Sequence, residues 1–145
     1  DLNDKKINID LKKKFIYIFK NKIENWFLLK YDFVLSFSEG LAKVLKDGKY
    51  GFVNKKGKEV IPLKYNYVGD FSEGLAKVEI YGNYGFINKK GEKLISLKYD
   101  YVCNFKEGLT GVKKDGYYGF INKKGEEITY LKYDDVWNRS NSFKI

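Results

Sequence analysis

The 145-residue chain contains no histidine and no methionine, and only one cysteine, one proline and one arginine. The absence of His removes the commonest general base and the commonest metal ligand. Nucleophilic catalysis of the Ser–His–Asp or Cys–His kind is thereby excluded. A single Cys103 cannot form a disulfide within the chain, so no cross-linked framework is expected. With Arg139 standing alone beside 27 lysines, the bidentate forks that specify bases are missing. Long apolar runs are missing too. The best, Phe15–Ile16–Tyr17–Ile18–Phe19, is far short of the roughly 20 residues a membrane helix needs and predicts a buried strand. Because residue 1 is Asp and Met is absent, the expectation is a processed chain or a segment of a longer one, with any targeting signal outside it.

What the chain does have is apolar and aromatic surface, 43% hydrophobic and 18% aromatic residues. That is too much for disorder and enough for a continuous core. Its formal charge is +9. Such a charge attracts anionic partners such as nucleic acid, acidic polysaccharide or a membrane surface. A Lys/Asn/Ile/Tyr/Phe-heavy composition of the kind an AT-rich genome imposes produces the same excess without a partner.

The dominant signal is internal repetition. Phe37–Asp70, FSEGLAKVLKDGKYGFVNKKGKEVIPLKYNYVGD, returns as Phe71–Asn104 and again as Phe105–Asn138, and 17 of the 34 positions are identical in all three copies. A period of this length also suits paired helices. Four glycines per copy, Gly40, Gly48, Gly51 and Gly57 in the first, argue otherwise, since each costs about 1 kcal/mol inside a helix. They punctuate strands instead.

Three strands per copy are predicted. In Leu41–Lys46, Ala42 and Val44 share one face while Lys43 and Leu45 share the other. Asp47–Gly48 suits a type I′ turn, where both central residues need positive φ; Gly82–Asn83 and Asp115–Gly116 are expected to take its place later. Tyr50–Asn54 sets Tyr50 and Phe52 against Gly51 and Val53. The segment Asn54–Lys55–Lys56–Gly57 reads as a type I turn closed by a left-handed Gly. Glu59–Tyr65 then places Ile61, Leu63 and Tyr65 on one side, with Pro62 marking a strand end or edge.

Residues 3–36 resemble a fourth, degenerate copy. Leu29–Lys30–Tyr31–Asp32–Phe33–Val34 matches Leu97–Lys98–Tyr99–Asp100–Tyr101–Val102 one period multiple away. The expected organisation is a single repeat domain over 1–145: a capping copy at 3–36, full copies at 37–70, 71–104 and 105–138, and a tail at 139–145. Atypical terminal units are what open repeat arrays need to cover their apolar ends.

The recurring F-x-E-G-L-A-x-V…G-x-Y-G-F-I-N-K-K-G…Y-D-x-V resembles the bacterial WG (KWG) repeat family, with Tyr50, Tyr84 and Tyr118 where the motif has Trp. The resemblance implies a β-rich module of bacterial, often surface-associated or secreted, proteins, with no shared enzymatic activity and with protein partners as the expectation. The fold class expected is all-β: four repeats, each a three-stranded antiparallel meander, in an elongated or solenoid-like array. A closed propeller is the alternative, although propeller blades have four strands and about 40–50 residues.

No catalytic, metal or cofactor site is expected. Glu39, Glu73 and Glu107 sit in equivalent environments, so nothing separates their pKa values into acid and base roles. Each is expected to accept from a backbone amide at the turn beside its own Gly. Neither DGKYG nor NKKG has phosphate-loop spacing. Cys103 falls in a slot held elsewhere by Gly69 and Trp137 and lacks an activating neighbour.

The remaining candidates are rows formed between copies. Lys55, Lys56, Lys89, Lys90, Lys123 and Lys124 would form one basic edge, and Lys64, Lys98 and Lys132 another, able either to grip a polyanion or to deter edge pairing. Tyr50, Tyr84 and Tyr118, with Tyr65, Tyr99 and Tyr133, are stacking platforms if exposed and core if buried. The expected function is a non-catalytic protein-binding or scaffold module. The alternative is a binder of acidic glycans or nucleic acid through the Lys edge and Tyr rows.

Overall fold

The computed structural model describes residues 30–131. The predicted strand at 15–19, most of the degenerate copy, Lys132, Tyr133, Trp137 and the tail lie outside the described residues. Every named element is a strand, in three open four-stranded antiparallel sheets. The first holds β1 (Phe33–Ser38), β2 (Leu41–Lys46), β3 (Lys49–Asn54) and β4 (Glu59–Tyr65) in that order. The second runs β5 (Tyr67–Val68), β6 (Leu75–Ile80), β7 (Asn83–Asn88), β8 (Lys93–Tyr99). The third comprises β9 (Tyr101–Val102), β10 (Leu109–Lys114), β11 (Tyr117–Asn122) and β12 (Glu127–Leu131). No sheet closes on itself, because each has two different edge strands.

The three-stranded meander is present in each full copy, and a fourth strand joins it, 6 residues long in the first sheet and 2 in each of the others. β9 comes from the end of the second copy in sequence yet pairs with β10 of the third, Val102 opposite Val112. The bend at Asp100 interrupts the strand alternation and explains the hand-over: Tyr99 and Val102 are buried while Asp100 and Tyr101 between them are exposed. A strand this short is fixed by its inward Val102 and by the Asp100 and Cys103 amides, which donate to the Lys113 and Gly111 carbonyls at 2.9 Å.

Turn chemistry sets the pairing. Asp47–Gly48 (φ 49° and 78°) and Asp115–Gly116 (52° and 81°) are the expected two-residue turns. The second copy differs from expectation: its turn is Tyr81–Gly82 (48° and 87°), and Asn83 already pairs with Ile80. Six residues in each strand fix that register, so Tyr81 must accept the left-handed position that Asp holds elsewhere. Glu73–Gly74 forms a further two-residue hairpin, with Ser72 and Leu75 exchanging bonds of 2.9 and 3.1 Å. At NKKG, the Gly57 amide donates to the Asn54 carbonyl, and Asn54 Oδ1 accepts from the amides of Lys56 and Lys58.

The chain divides after Val68 into two compact units. In the first, Tyr31, Val34, Ala42, Val44 and Val53 form a buried cluster with Phe37 and Leu63 packed against it. Phe52 and Ile61, on the other face, are also buried. Both faces of β3 are therefore enclosed, which is why GFV reads as a continuous apolar run.

Between β3 and β4 the ladder slips: Tyr50 faces Tyr65, but Phe52 faces Ile61. Two residues of β3 thus span four of β4, with exposed Pro62 in the bulged edge strand. Gly51 makes this possible. A Cβ there would land on the Ile61 carbonyl oxygen and within 2.9 Å of Pro62 C and O. The space kept by the glycine is filled by backbone. Gly85 repeats the arrangement against Ile95 and Ser96.

In the second unit one core joins two sheets. Leu75, Phe86, Ile95 and Tyr99 pack on Val102, Phe105, Val112 and Ile121. Phe86 and Phe105 meet edge to face at 4.7 Å, the arrangement their quadrupoles favour. The Phe-bearing face of one meander is covered by the Val/Ile-bearing face of the next. Full burial of each such side chain contributes about 1.5–3 kcal/mol.

Candidate functional site

The two tyrosine rows separate. Tyr65 and Tyr99 are 2% and 3% exposed, so they are core and leave the ligand-facing set. Burial pushes both hydroxyls above their usual value, with Glu127 adding to the effect at Tyr99. Tyr31 belongs to the same row and is held higher still by burial and by Glu59, whose Oε1 accepts its hydroxyl at 3.2 Å. Tyr133 lies outside the described residues. Tyr50, Tyr84 and Tyr118 are half-buried and line the surface.

A second aromatic row escapes the sequence reading. Tyr67 and Tyr101 are 40% and 45% exposed, and Phe33 occupies the equivalent position one period earlier. Tyr67 meets Tyr50 edge to face at 6.1 Å, and Tyr101 meets Tyr84 at 5.6 Å. Each unit therefore presents a pair of rings, one from the motif position and one from the short strand. The signal was available in K-Y-[DN]-[FY]-V, where the second aromatic follows a polar residue that turns the chain. Only the bend at Asn66 and Asp100 shows that rings two apart lie in different environments.

Lysines line the rings. The Lys77 ammonium lies 5.2 Å from the Tyr101 centroid and 3.5 Å from the Val102 carbonyl. Lys113 pairs with Tyr101 across the strands and lies 5.3 Å over Tyr118. Glu79, Tyr84, Tyr101, Lys113 and Tyr118 thus follow one another across the second unit. Lys30, Lys64 and Lys98 place their ammonium groups 5.3–5.4 Å over the ring that follows each in sequence. The second basic row is engaged with tyrosines; Lys132 lies outside the described residues.

Lys55, Lys56, Lys89, Lys90, Lys123 and Lys124 are all exposed on the NKKG turns. Lys123 forms a 3.3 Å ion pair with Glu73. Glu73 does accept from a turn amide, but from the next copy's Gly108 at 2.8 Å and not from its own Gly74. Glu73 and Gly74 are the two central residues of the same hairpin, and the stacked copy brings Gly108 within reach of the carboxylate. The Gly108 amide holds the Glu73 carboxyl below its usual range, partial desolvation opposes this, and Lys123 and the Glu107 amide add to it.

The Cys103 thiol is pushed up by burial, with Lys77 opposing, which keeps it protonated and weakly nucleophilic. Its slot is more constrained than the Gly/Cys/Trp variation suggests. A Cβ at Gly69 would meet Lys77 Cγ at 2.7 Å. Among the described residues there is no group of three metal-ligating side chains, and no helix is long and apolar enough to cross a membrane. A cleft of about 160 Å³ is lined by Lys98, Lys114, Tyr117 and Glu127 among others, and the Lys114 ammonium donates to the Lys98 carbonyl at 3.2 Å beside it.

These features define an all-β tandem-repeat protein whose surface chemistry is aromatic and basic. The profile of the WG containing repeat matches residues 19–50, 50–84, 84–118 and 118–143, and the chain belongs to that family. The matched frame is four repeats divided at the motif tyrosines, Tyr50, Tyr84 and Tyr118, with the first taking in residues of the degenerate copy. No curated protein matches the chain.

Proposed function

We propose that this chain is a non-catalytic, protein-binding module of a bacterial protein, and that it acts as a scaffold. The observation that carries the reading is the ring pair repeated in each unit, Tyr50 with Tyr67 and Tyr84 with Tyr101. Tyrosine is enriched where proteins bind one another because it brings large area with little side-chain entropy to lose. Holding such rings half-exposed on a rigid sheet pre-organises them for contact.

The competing reading is a polyanion binder, favoured by the exposed lysines of the NKKG turns and by the excess of basic residues in the first unit. One experiment addresses both. The chain is probed against an array of peptides and, in parallel, against heparin and single-stranded DNA. Peptide binding that falls about tenfold in a Tyr67→Ala, Tyr101→Ala variant supports the protein-binding reading. Retention on heparin or DNA that survives about 0.5 M salt, without peptide binding, would sink it. The polyanion reading fails if Lys55→Glu, Lys56→Glu, Lys89→Glu and Lys90→Glu together leave all binding unchanged.

A further inference from the structure

The three copies are the chain's own reference for what the fold requires, and at one hairpin tip the second departs from the other two. The hairpin tips read Leu45–Tyr50 LKDGKY, Glu79–Tyr84 EIYGNY and Lys113–Tyr118 KKDGYY. The backbone is the same in each, with two positive-φ residues at the turn. Only the second tip has no lysine. It places Tyr81 where the others have Asp, at φ 48° and 83% exposed. A bulky side chain in the left-handed region is an outlier, because Asp and Asn fit there and tyrosine has no short polar group to compensate. Asp serves at that position in both neighbouring copies.

The second departure is electrostatic. Leu45, Glu79 and Lys113 occupy one slot, each directly opposite its copy's motif tyrosine. Glu79 Oε2 is buried without a hydrogen-bond partner. The side chain as a whole is half-buried, so the carboxylate can be reached from the surface, and a charged donor suits it most. Beside it stands Tyr84, paired with Tyr101, while the Lys77 ammonium is committed to Tyr101 and the Val102 carbonyl. A carboxylate, flanking ring faces and a local loss of lysine together complement a cation.

Resting on the protein-binding reading above, we propose that the β6–β7 hairpin is the docking site for a basic segment of a protein partner. A lysine or arginine side chain of the partner lies on Tyr81 and Tyr84 and donates to Glu79. The site is specific to the second copy, so the array binds in one register although its frame repeats.

The test uses the full chain and an array of synthetic decapeptides in basic, acidic and neutral sets. A Glu79→Leu, Tyr81→Asp variant carries residues the first copy already accommodates, so it keeps the fold; Glu79→Gln tests the charge alone. Wild type is expected to prefer basic peptides, with affinity falling about tenfold or more in the double variant and severalfold in Glu79→Gln. Equal binding by wild type and double variant, or a preference for acidic or neutral peptides, overturns the assignment. If the double variant is unaffected while Tyr67→Ala, Tyr101→Ala abolishes binding, this site falls and the protein-binding reading stands. If no set binds any variant, both fall. Self-association of wild type that the double variant loses, measured by sedimentation, would overturn a separate partner in favour of a second copy.

Discussion

Replacing Gly85 by alanine separates two reasons for glycine that a sequence cannot distinguish. The residue is not at positive φ, so the usual argument from conformational freedom does not apply to it. Its Cβ would land on the Ile95 carbonyl oxygen and 2.8 Å from Ser96 C and O. These are backbone atoms of the bulged partner strand and cannot swing aside as a side-chain tip would. Relief requires β7 and β8 to part where Phe86 faces Ile95, both buried in the shared core. Overpacking of this kind costs typically 1–3 kcal/mol and occasionally more; with backbone on the receiving side, about 3 kcal/mol is expected. Gly82→Ala is the comparison. Nothing lies within 4 Å of its Cβ, and φ is 87°, so only the left-handed penalty of about 1–2 kcal/mol applies. In urea denaturation, Gly85→Ala should lower the midpoint at unchanged slope by at least about half as much again as Gly82→Ala. Thermal midpoints should fall by roughly 10 °C and 4 °C respectively. Equal losses, or a larger loss at Gly82, would refute close backbone approach as the reason for Gly85.

Phe105→Ala, which removes the ring packed on Phe86, should cost about 3–5 kcal/mol by denaturant titration and loosen amide protection in both β7 and β11. Glu73→Gln should destabilise at neutral pH. Because the folded carboxyl titrates below its usual 4.5, the contribution is present above that value and lost as pH falls through the lower folded value, so wild type and variant should converge in acid. Tyr31, Tyr65 and Tyr99 titrate above the ordinary 10.0. Tyrosinate absorbance should therefore lag for these three. Stability is full below pH 10 and declines above it, as the unfolded chain ionises these hydroxyls first.

Much of the architecture was legible because it rests on local chemistry. Asp–Gly and Asn–Lys–Lys–Gly name their turns through φ preferences, and Ala42/Val44 alternation names an inward face. What stayed hidden depends on partners distant in sequence. Gly51 and Gly85 look like any strand glycine until the bulge in the next strand is seen. Glu73 reads as a cap for its own turn, and only stacking reveals that its partner is Gly108. Tyr65 and Tyr67 are equivalent in composition and spacing, yet one is core and the other surface, because a single bent residue separates two sheets. At the candidate site the aromatic row was half visible for that reason. The Glu79 departure was written in the alignment of the copies but meant nothing until burial left one of its oxygens unpaired.

The hand-over of β9 also bears on how such a chain can be cut or lengthened. A fragment begun at Phe105, where the sequence copy starts, would leave Val112 without the Val102 strand beside it and would lack the aspartate whose Oδ2 accepts the Asp115 amide at 2.8 Å. One begun near Leu97 carries both. The genetic unit that can be duplicated or deleted without exposing an edge is therefore offset by several residues from the motif that makes the repetition visible. A designed array of these modules should be spliced within K-Y-D, not at F-x-E-G.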